Sequence, residues 1–297
     1  MAAVTANGIT IEYEAFGDAG APAILLIMGL GMQLIAWPDA FCGRLAAAGF
    51  RVVRFDNRDA GLSQKFAEAG IPHVGRVVLR SWLGLPIRAP YRLDDMALDA
   101  VGLLDTLGIP AAHVVGASMG GMIAQIVAAR HPGRTRSLTS IMSTSGARHL
   151  PQASLQIRRE MLAGPDDPTS IESIIERYER IYALIGSPGY PTPAADLRAR
   201  LRRSVERGYY PAGFLRQFTA ILASGDRSPL LRRIACPTLV IHGKADALVP
   251  CEGGVDTARK IRDAKLVLLD GWGHDLPAQL HDKLAGLIVA HAREAAA

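Results

Sequence analysis

Residues 113–130 read HVVGASMGGMIAQIVAAR, and within them Gly116-Ala117-Ser118-Met119-Gly120 has the G-x-S-x-G spacing of a serine held on a sharp turn between a strand and a helix. Small residues are needed at 116 and 120, because a side chain there would collide with the neighbouring strand and helix. The turn exposes Ser118, and the following helix aims backbone N–H groups and a positive dipole end at the place where an oxyanion would form. A serine hydroxyl is a poor nucleophile until a base takes its proton, so acyl transfer here needs a histidine and an acid.

In this strand, turn and helix setting the partners follow the serine in the order acid, then histidine. Among the eight histidines only His274, His281 and His291 lie after the late acids, and the last two fall inside a closing helical pattern. His274 ends the loop Asp270-Gly271-Trp272-Gly273-His274, where glycines let the chain carry an imidazole back over a sheet edge. The expected acid is Asp246, in the loop that follows Ile241-His242-Gly243. It would accept the Nδ1–H of His274 and stabilise the imidazolium. Asp226 is a competing acid at the end of a helical segment, while Asp270 and Asp275 lie too near His274 along the chain to reach it easily.

The elements needed to position these groups show as period-2 and period-3.6 patterns. Strands are expected at Ile9 to Tyr13, Ile24 to Met28, Val52 to Phe55, His113 to Ala117 and Leu138 to Met142, with helices at Trp37 to Ala48, Leu93 to Leu107 and Ser118 to Arg130 between them. The pattern resumes with strands Thr238 to His242 and Lys265 to Leu269, a helix through Asp256 to Ile261, and a closing helix from about Leu276 to Arg293. Alternating strands and helices imply an α/β protein with a mostly parallel sheet covered on both faces. Between Gly146 and Leu231 strand signals vanish. Helical stretches at Leu155 to Leu162, Ile171 to Ile185, Ala195 to Arg207 and Gly213 to Ala223 are separated by breakers such as Pro168, Gly186, Pro193 and Pro211. The expected division is a core of residues 1–145 and 233–297 with a helical cap at 146–232.

Bulk properties narrow the setting. The chain has 297 residues, 49% hydrophobic and 21% charged, enough for one large core. No signal-peptide pattern opens it, and its best apolar stretch, Ala23 to Leu30, is far short of the ~20 residues that span a membrane. A soluble, cytoplasmic protein without a membrane partner is expected. Cys42, Cys236 and Cys251 form neither a closed disulfide set nor a zinc-like spacing, so no metal is expected. Of the net charge of +5, the segment from Arg148 to Arg233 holds 14 Arg against 9 Asp or Glu, a surplus of 14 − 9 = +5. Those arginines alternate with acids and read as solvated helix faces, which gives no case for nucleic acid.

These residues resemble the α/β-hydrolase superfamily over nearly the whole chain outside the cap. Ile27-Met28-Gly29-Leu30-Gly31 with Trp37-Pro38, and Arg54-Phe55-Asp56-Asn57-Arg58-Asp59-Ala60-Gly61-Leu62-Ser63, are similar to an esterase subgroup related to aclacinomycin methylesterase. The resemblance implies a cofactor-independent serine carboxylesterase acting on a small or medium ester, as a monomer or homodimer. The superfamily often has His-Gly after its third strand, whereas Met28 stands here, as in the subgroup. Oxyanion stabilisation is the work of backbone N–H groups, so it is assigned to Leu30 and Met119, with Gly29 and Gly31 allowing close approach. Met28, Gly29 and Trp37 are expected at the substrate, and Asp56 and Arg58 as supports of their loop. Carbon–carbon bond hydrolysis, lactone opening and cofactor-free perhydrolysis share this triad. A receptor that binds without turnover shares the fold.

Overall fold

The computed structural model describes residues 1–296 and contains one eight-stranded sheet. Its strands are β1 (Ala2–Ala6), β2 (Ile9–Phe16), β3 (Ala23–Ile27), β4 (Arg51–Phe55), β5 (Ala112–Ala117), β6 (Thr135–Ile141), β7 (Thr238–Gly243) and β8 (Lys265–Leu269). They lie in the order β1-β2-β4-β3-β5-β6-β7-β8, parallel from β4 onward, with β1 and β2 antiparallel at one edge. The central strands β3 and β5 have no exposed residue, as expected of parallel strands covered on both faces.

Four helices make those covers. On one face α3 (Leu93–Thr106) and α4 (Met119–Arg130) bury Leu103, Leu104, Ile123 and Val127 against Leu25, Ile27 and Val114. On the other, α1 (Asp39–Ala47) and α11 (His281–Glu294) bury Phe41, Leu45, Leu284 and Ile288 against Ile24, Leu26 and Val115. Between β4 and α3 lies α2 (Val74–Trp82), and α10 (Glu252–Lys260) connects β7 to β8. The segment between β6 and β7 has helices and loops but no strand: α5 (Leu155–Leu162), α6 (Ile171–Ile185), α7 (Ala194–Gly208), α8 (Pro211–Ser224) and the short α9 (Ser228–Leu231).

The chain departs from the expected elements in a few places. β1 was not expected, although Asn7-Gly8 after it is a strong hairpin signal. Both residues are left-handed, at φ 50° and 76°, as a tight primed turn requires. Helices α2 and α9 were also unforeseen, and α10 begins four residues before Asp256. Pro211 is the first residue of α8 and not a separator before it, because a helix's first N–H has no intrahelical partner to lose.

Two buried ion pairs join the inserted helices to the loop after β4. Arg216 of α8 meets Asp59 in a bidentate pair, Nε to Oδ2 at 2.8 Å and Nη2 to Oδ1 at 2.9 Å. Arg207 of α7 meets Asp56 Oδ2 at 2.7 Å. Burial alone would raise the Asp59 pKa, but hydrogen bonds from Arg216, the Phe66 amide and the Tyr91 hydroxyl hold it below the usual carboxylate range. Arg58, in turn, grips Asp99 of α3 with contacts of 2.6 and 2.7 Å, so this residue and Asp56 do serve as loop supports. Replacing Arg216 by Leu would leave the Asp59 carboxylate buried without its cation. The expected cost is about 3–5 kcal/mol, measured as a lowered urea midpoint at neutral pH. A midpoint equal to that of the unmodified protein would show that the pair carries no stability.

Candidate active site

The elbow is built from overlaps that only glycine avoids. A methyl group at 116 would collide with the Gly120 carbonyl, and one at 120 with the Ile27 carbonyl at the end of β3. The turn can therefore close only if both positions lack a side chain. Ser118, between them, adopts φ 55° and ψ −121°, an unfavourable region for an L-residue. Its N–H donates to the Ile141 carbonyl at 2.9 Å, and its own carbonyl accepts from Ser143 Oγ at 2.8 Å. From Ala112 to Ala129 Ser118 alone is not buried.

His274 and Asp246 meet this hydroxyl in a line. His274 Nε2 is 3.0 Å from Ser118 Oγ, and Nδ1 is 2.7 Å from Asp246 Oδ2. The other carboxylate oxygen, Oδ1, accepts the N–H groups of Leu248 and Val249 at 3.0 and 2.8 Å. Burial opposes charge on Asp246, yet the His274 imidazole and the hydrogen bonds from His242 and His274 outweigh it, and its pKa falls to about 2. The competing acids are occupied elsewhere. Asp226 binds the backbone and hydroxyl of Ser228 at the start of α9, Asp270 pairs with Lys244 at 2.8 Å, and Asp275 accepts from the Ser187 hydroxyl.

The His274 loop is clamped from two sides. Its N–H donates to the Ile185 carbonyl at 2.7 Å, the Gly273 N–H to Ser187 Oγ at 3.0 Å, and Gly271 accepts from the Gly189 N–H at 2.8 Å. On the other side the Trp272 carbonyl accepts from the Ala245 N–H, and Gly243 gives it room, since a methyl there would overlap that carbonyl. The His274 loop is thus fixed by the end of α6 with the turn after it and by the loop that carries Asp246.

Gly29-Leu30-Gly31-Met32 forms a tight turn closed by the Met32 N–H on the Gly29 carbonyl at 3.2 Å, with Gly31 at φ 68°. Gly31 occupies the position where such a turn requires a left-handed residue. Gly29 lies beside the serine, for a methyl group on it would be 3.1 Å from Ser118 Cβ. Asn57 donates to the Met28 carbonyl at 2.9 Å, and Gln217 of α8 accepts the Gly31 N–H at 2.7 Å. The N–H groups of Leu30 and Met119 donate to no acceptor among the described residues. Both flank the serine in the fold, one across from it and one next to it in sequence.

The side chains of Met28 and Trp37, expected at the substrate, pack in the core instead. Trp37 is fully buried and stacks on Phe41 at 5.5 Å between ring centres, and Met28 belongs to the same apolar cluster. An apolar residue near a glycine turn suits either role, and here core burial takes it. Of the aromatic residues of the insertion, Phe214 rests against Gly31, while Tyr178, Tyr182 and Tyr209 pack among Ile174, Leu201 and Val205. Cys42 and Cys236 are unpaired, and burial pushes their thiols up to about 12 and about 11. No cluster of three or more His, Cys, Asp or Glu side chains able to hold a metal ion occurs among the described residues.

Two positioning residues were not foreseen. Gln217 is fully buried and bridges two loops, accepting from Gly31 and donating to the Arg58 carbonyl at 2.7 Å. His242, buried on β7, places Nε2 2.8 Å from the Val249 carbonyl and 3.3 Å from Asp246 Oδ2, so one N–H faces both. Its place four residues before Asp246 was the one available signal.

Residues 22–278 match the alpha/beta hydrolase fold family. The chain belongs to that family. Among its relatives are the rhodomycin D methylesterases DnrP of Streptomyces peucetius and DauP of another Streptomyces, each 29% identical over 98% of both chains. A 3-oxoadipate enol-lactonase of Acinetobacter baylyi is 26% identical over 90% of this chain and 87% of its own. The fold is shared with the enol-lactonase of Burkholderia xenovorans, which is 22% identical with a TM-score of 0.74, covering 98% of this chain and 100% of the other. It is shared also with a meta-cleavage product hydrolase of Pseudomonas fluorescens, at 20% identity and TM-score 0.76 over 99% and 98%.

A carboxylate whose pKa is lowered on folding adds stability above its unfolded pKa, and that stability is lost as pH falls through the folded value. For Asp246 the window runs from 3.8 down to about 2. The difference in unfolding free energy between the protein and Asp246→Asn should be full above pH ~4 and shrink by about 2 kcal/mol toward pH ~2. Urea titrations at several pH values measure it. A difference that grows on acidification would contradict the assignment of a charged, imidazole-paired Asp246.

Proposed function

We propose that this chain is a serine carboxylesterase that cuts a small or medium ester through an acyl-enzyme on Ser118. The observation that carries this reading is the unbroken line from Asp246 through both nitrogens of His274 to a partly exposed hydroxyl. The ester-cleaving names of the relatives support it.

As Ser118 Oγ attacks the ester carbonyl, its proton passes to His274 Nε2, and the anionic Asp246 stabilises the imidazolium through Nδ1–H. Negative charge on the former carbonyl oxygen is held by the N–H groups of Leu30 and Met119, which have no protein acceptor to give up. His274 then protonates the departing alcohol, and the acyl group stays on Ser118. Water gives a proton to the freed Nε2 and attacks the acyl carbonyl, and the proton returns to Ser118 as the acid leaves. No step calls for a cofactor. The inserted helices act as a cap, setting the substrate wall from above with Phe214 over the oxyanion turn.

Ser118→Ala is expected to lower kcat/KM on p-nitrophenyl acetate by at least about 10⁴-fold with far-UV circular dichroism unchanged. Retained turnover in the folded variant would refute Ser118 as nucleophile. A receptor that binds without turnover would release no p-nitrophenol even with Ser118 present. Parallel assays of a methyl ester, an enol lactone and a vinylogous diketone separate esterase from lactonase and carbon–carbon hydrolase.

A further inference from the structure

Helix α2 turns its apolar side outward. At 100° per residue Val78, Leu79 and Trp82 share one side with Gly75, and all are exposed, whereas Val77 on the opposite side is buried. The exposed run continues through Leu83, Gly84, Leu85 and Pro86, and Trp82 is 79% exposed. A cluster of large apolar side chains of this kind marks a contact surface, because isolated surface hydrophobes do not gather on one helix and its following loop.

The charge along this stretch is of one sign. From residue 69 to residue 93 the chain has four arginines, Arg76, Arg80, Arg88 and Arg92, and no Asp or Glu. The fold adds a fifth, since the Arg148 guanidinium lies against Gly84. Beside α2 is a groove of about 440 Å³ whose wall includes His73, Arg76, Arg80 and Arg88 with Val77 and Ile87, and no carboxylate. Arg80 Nε is bound to the Pro86 carbonyl at 2.7 Å, which holds the loop that forms one side of this groove.

We propose that α2 and the loop to Arg88 form a docking site for an anionic lipid surface. Trp82, Leu79 and Leu83 would enter the headgroup boundary, and the arginine-lined groove would take lipid phosphate. An amphipathic helix with aromatic and aliphatic residues on one side and arginines beside them suits binding in the plane of an interface. No helix of the described residues is long and apolar enough to cross a membrane, so the contact lies along the surface. The expectation of no membrane partner rested on the lack of a spanning stretch, and surface attachment needs none. A second copy of the chain is disfavoured, because a two-fold contact through this face would oppose arginines to arginines with no acid in the stretch to offset them. The surface is one helix away from the oxyanion turn, since α2 packs on α8, which carries Phe214 and Gln217.

The test uses the purified chain and sedimentation with vesicles of phosphatidylcholine alone or mixed with phosphatidylglycerol, a readout independent of any esterase activity. Binding is expected to the mixed vesicles only and to weaken with salt. Tryptophan emission should shift to the blue on binding, and the shift reports Trp82 because Trp37 and Trp272 are fully buried. Replacing Arg76 and Arg88 by Gln should weaken partitioning by about 5-fold for each residue. Leu79→Ser with Trp82→Ser should abolish it, with circular dichroism and turnover of soluble esters unchanged. Sedimentation with neither vesicle, equal binding to both, or binding of inorganic phosphate alone would overturn the proposal. So would a concentration-dependent dimer that the Leu79→Ser variant loses, which would assign the face to a second copy.

Discussion

The Ser118 backbone is held where an L-residue resists staying, at a cost on the order of 1–3 kcal/mol. That strain persists because its surroundings cannot yield. Strand β5 enters the turn with every residue buried, and α4 leaves it with buried residues from Met119 to Ala129. Contacts at Gly116 and Gly120 with neighbouring backbone leave no room for the turn to relax. One constraint therefore serves three ends: it lifts the hydroxyl out of the core, frees the Met119 N–H, and points the start of α4 at the space beside that hydroxyl.

The partners of that serine come from loops, and loops need anchoring. The inserted helices supply much of it. The end of α6 and the turn after it fix the His274 loop through the Ile185 carbonyl, the Ser187 hydroxyl and the Gly189 N–H, and Gln217 of α8 holds Gly31. The insertion is in turn fastened by the Arg207–Asp56 and Arg216–Asp59 pairs. A change in the insertion would thus reach the His274 loop and the Gly29–Met32 turn without a direct contact to Ser118. This links a buried electrostatic contact to the geometry of chemistry some distance from it.

What was legible in the sequence was local or ordered along the chain. Ser118 could be read because an elbow needs glycine at fixed offsets. Asp246 and His274 could be read because strand, loop and chain order left few alternatives. Sheet and helices followed from periodicity, down to α5, α6 and β8, whose ends match the expected ones. Contacts set by tertiary register left no such mark. Gln217 lies 186 residues from Gly31, and a glutamine in a helix has no period that says where its amide goes. Met28 and Trp37 show the converse: their apolar character suited a pocket wall or the core equally well. Helix α2 was missed because its nine residues between Pro72 and Pro86 span too few turns for a period to show.

The central claim is that His274 makes Ser118, and no other residue, a strong nucleophile. A fluorophosphonate reacts only with such a serine, so timed labelling followed by peptide mapping tests it most directly. A single adduct on the peptide bearing Ser118 is predicted, formed at least about 100-fold more slowly when His274 is replaced by Ala. An adduct on any other residue, or a rate indifferent to the loss of that imidazole, would contradict the account.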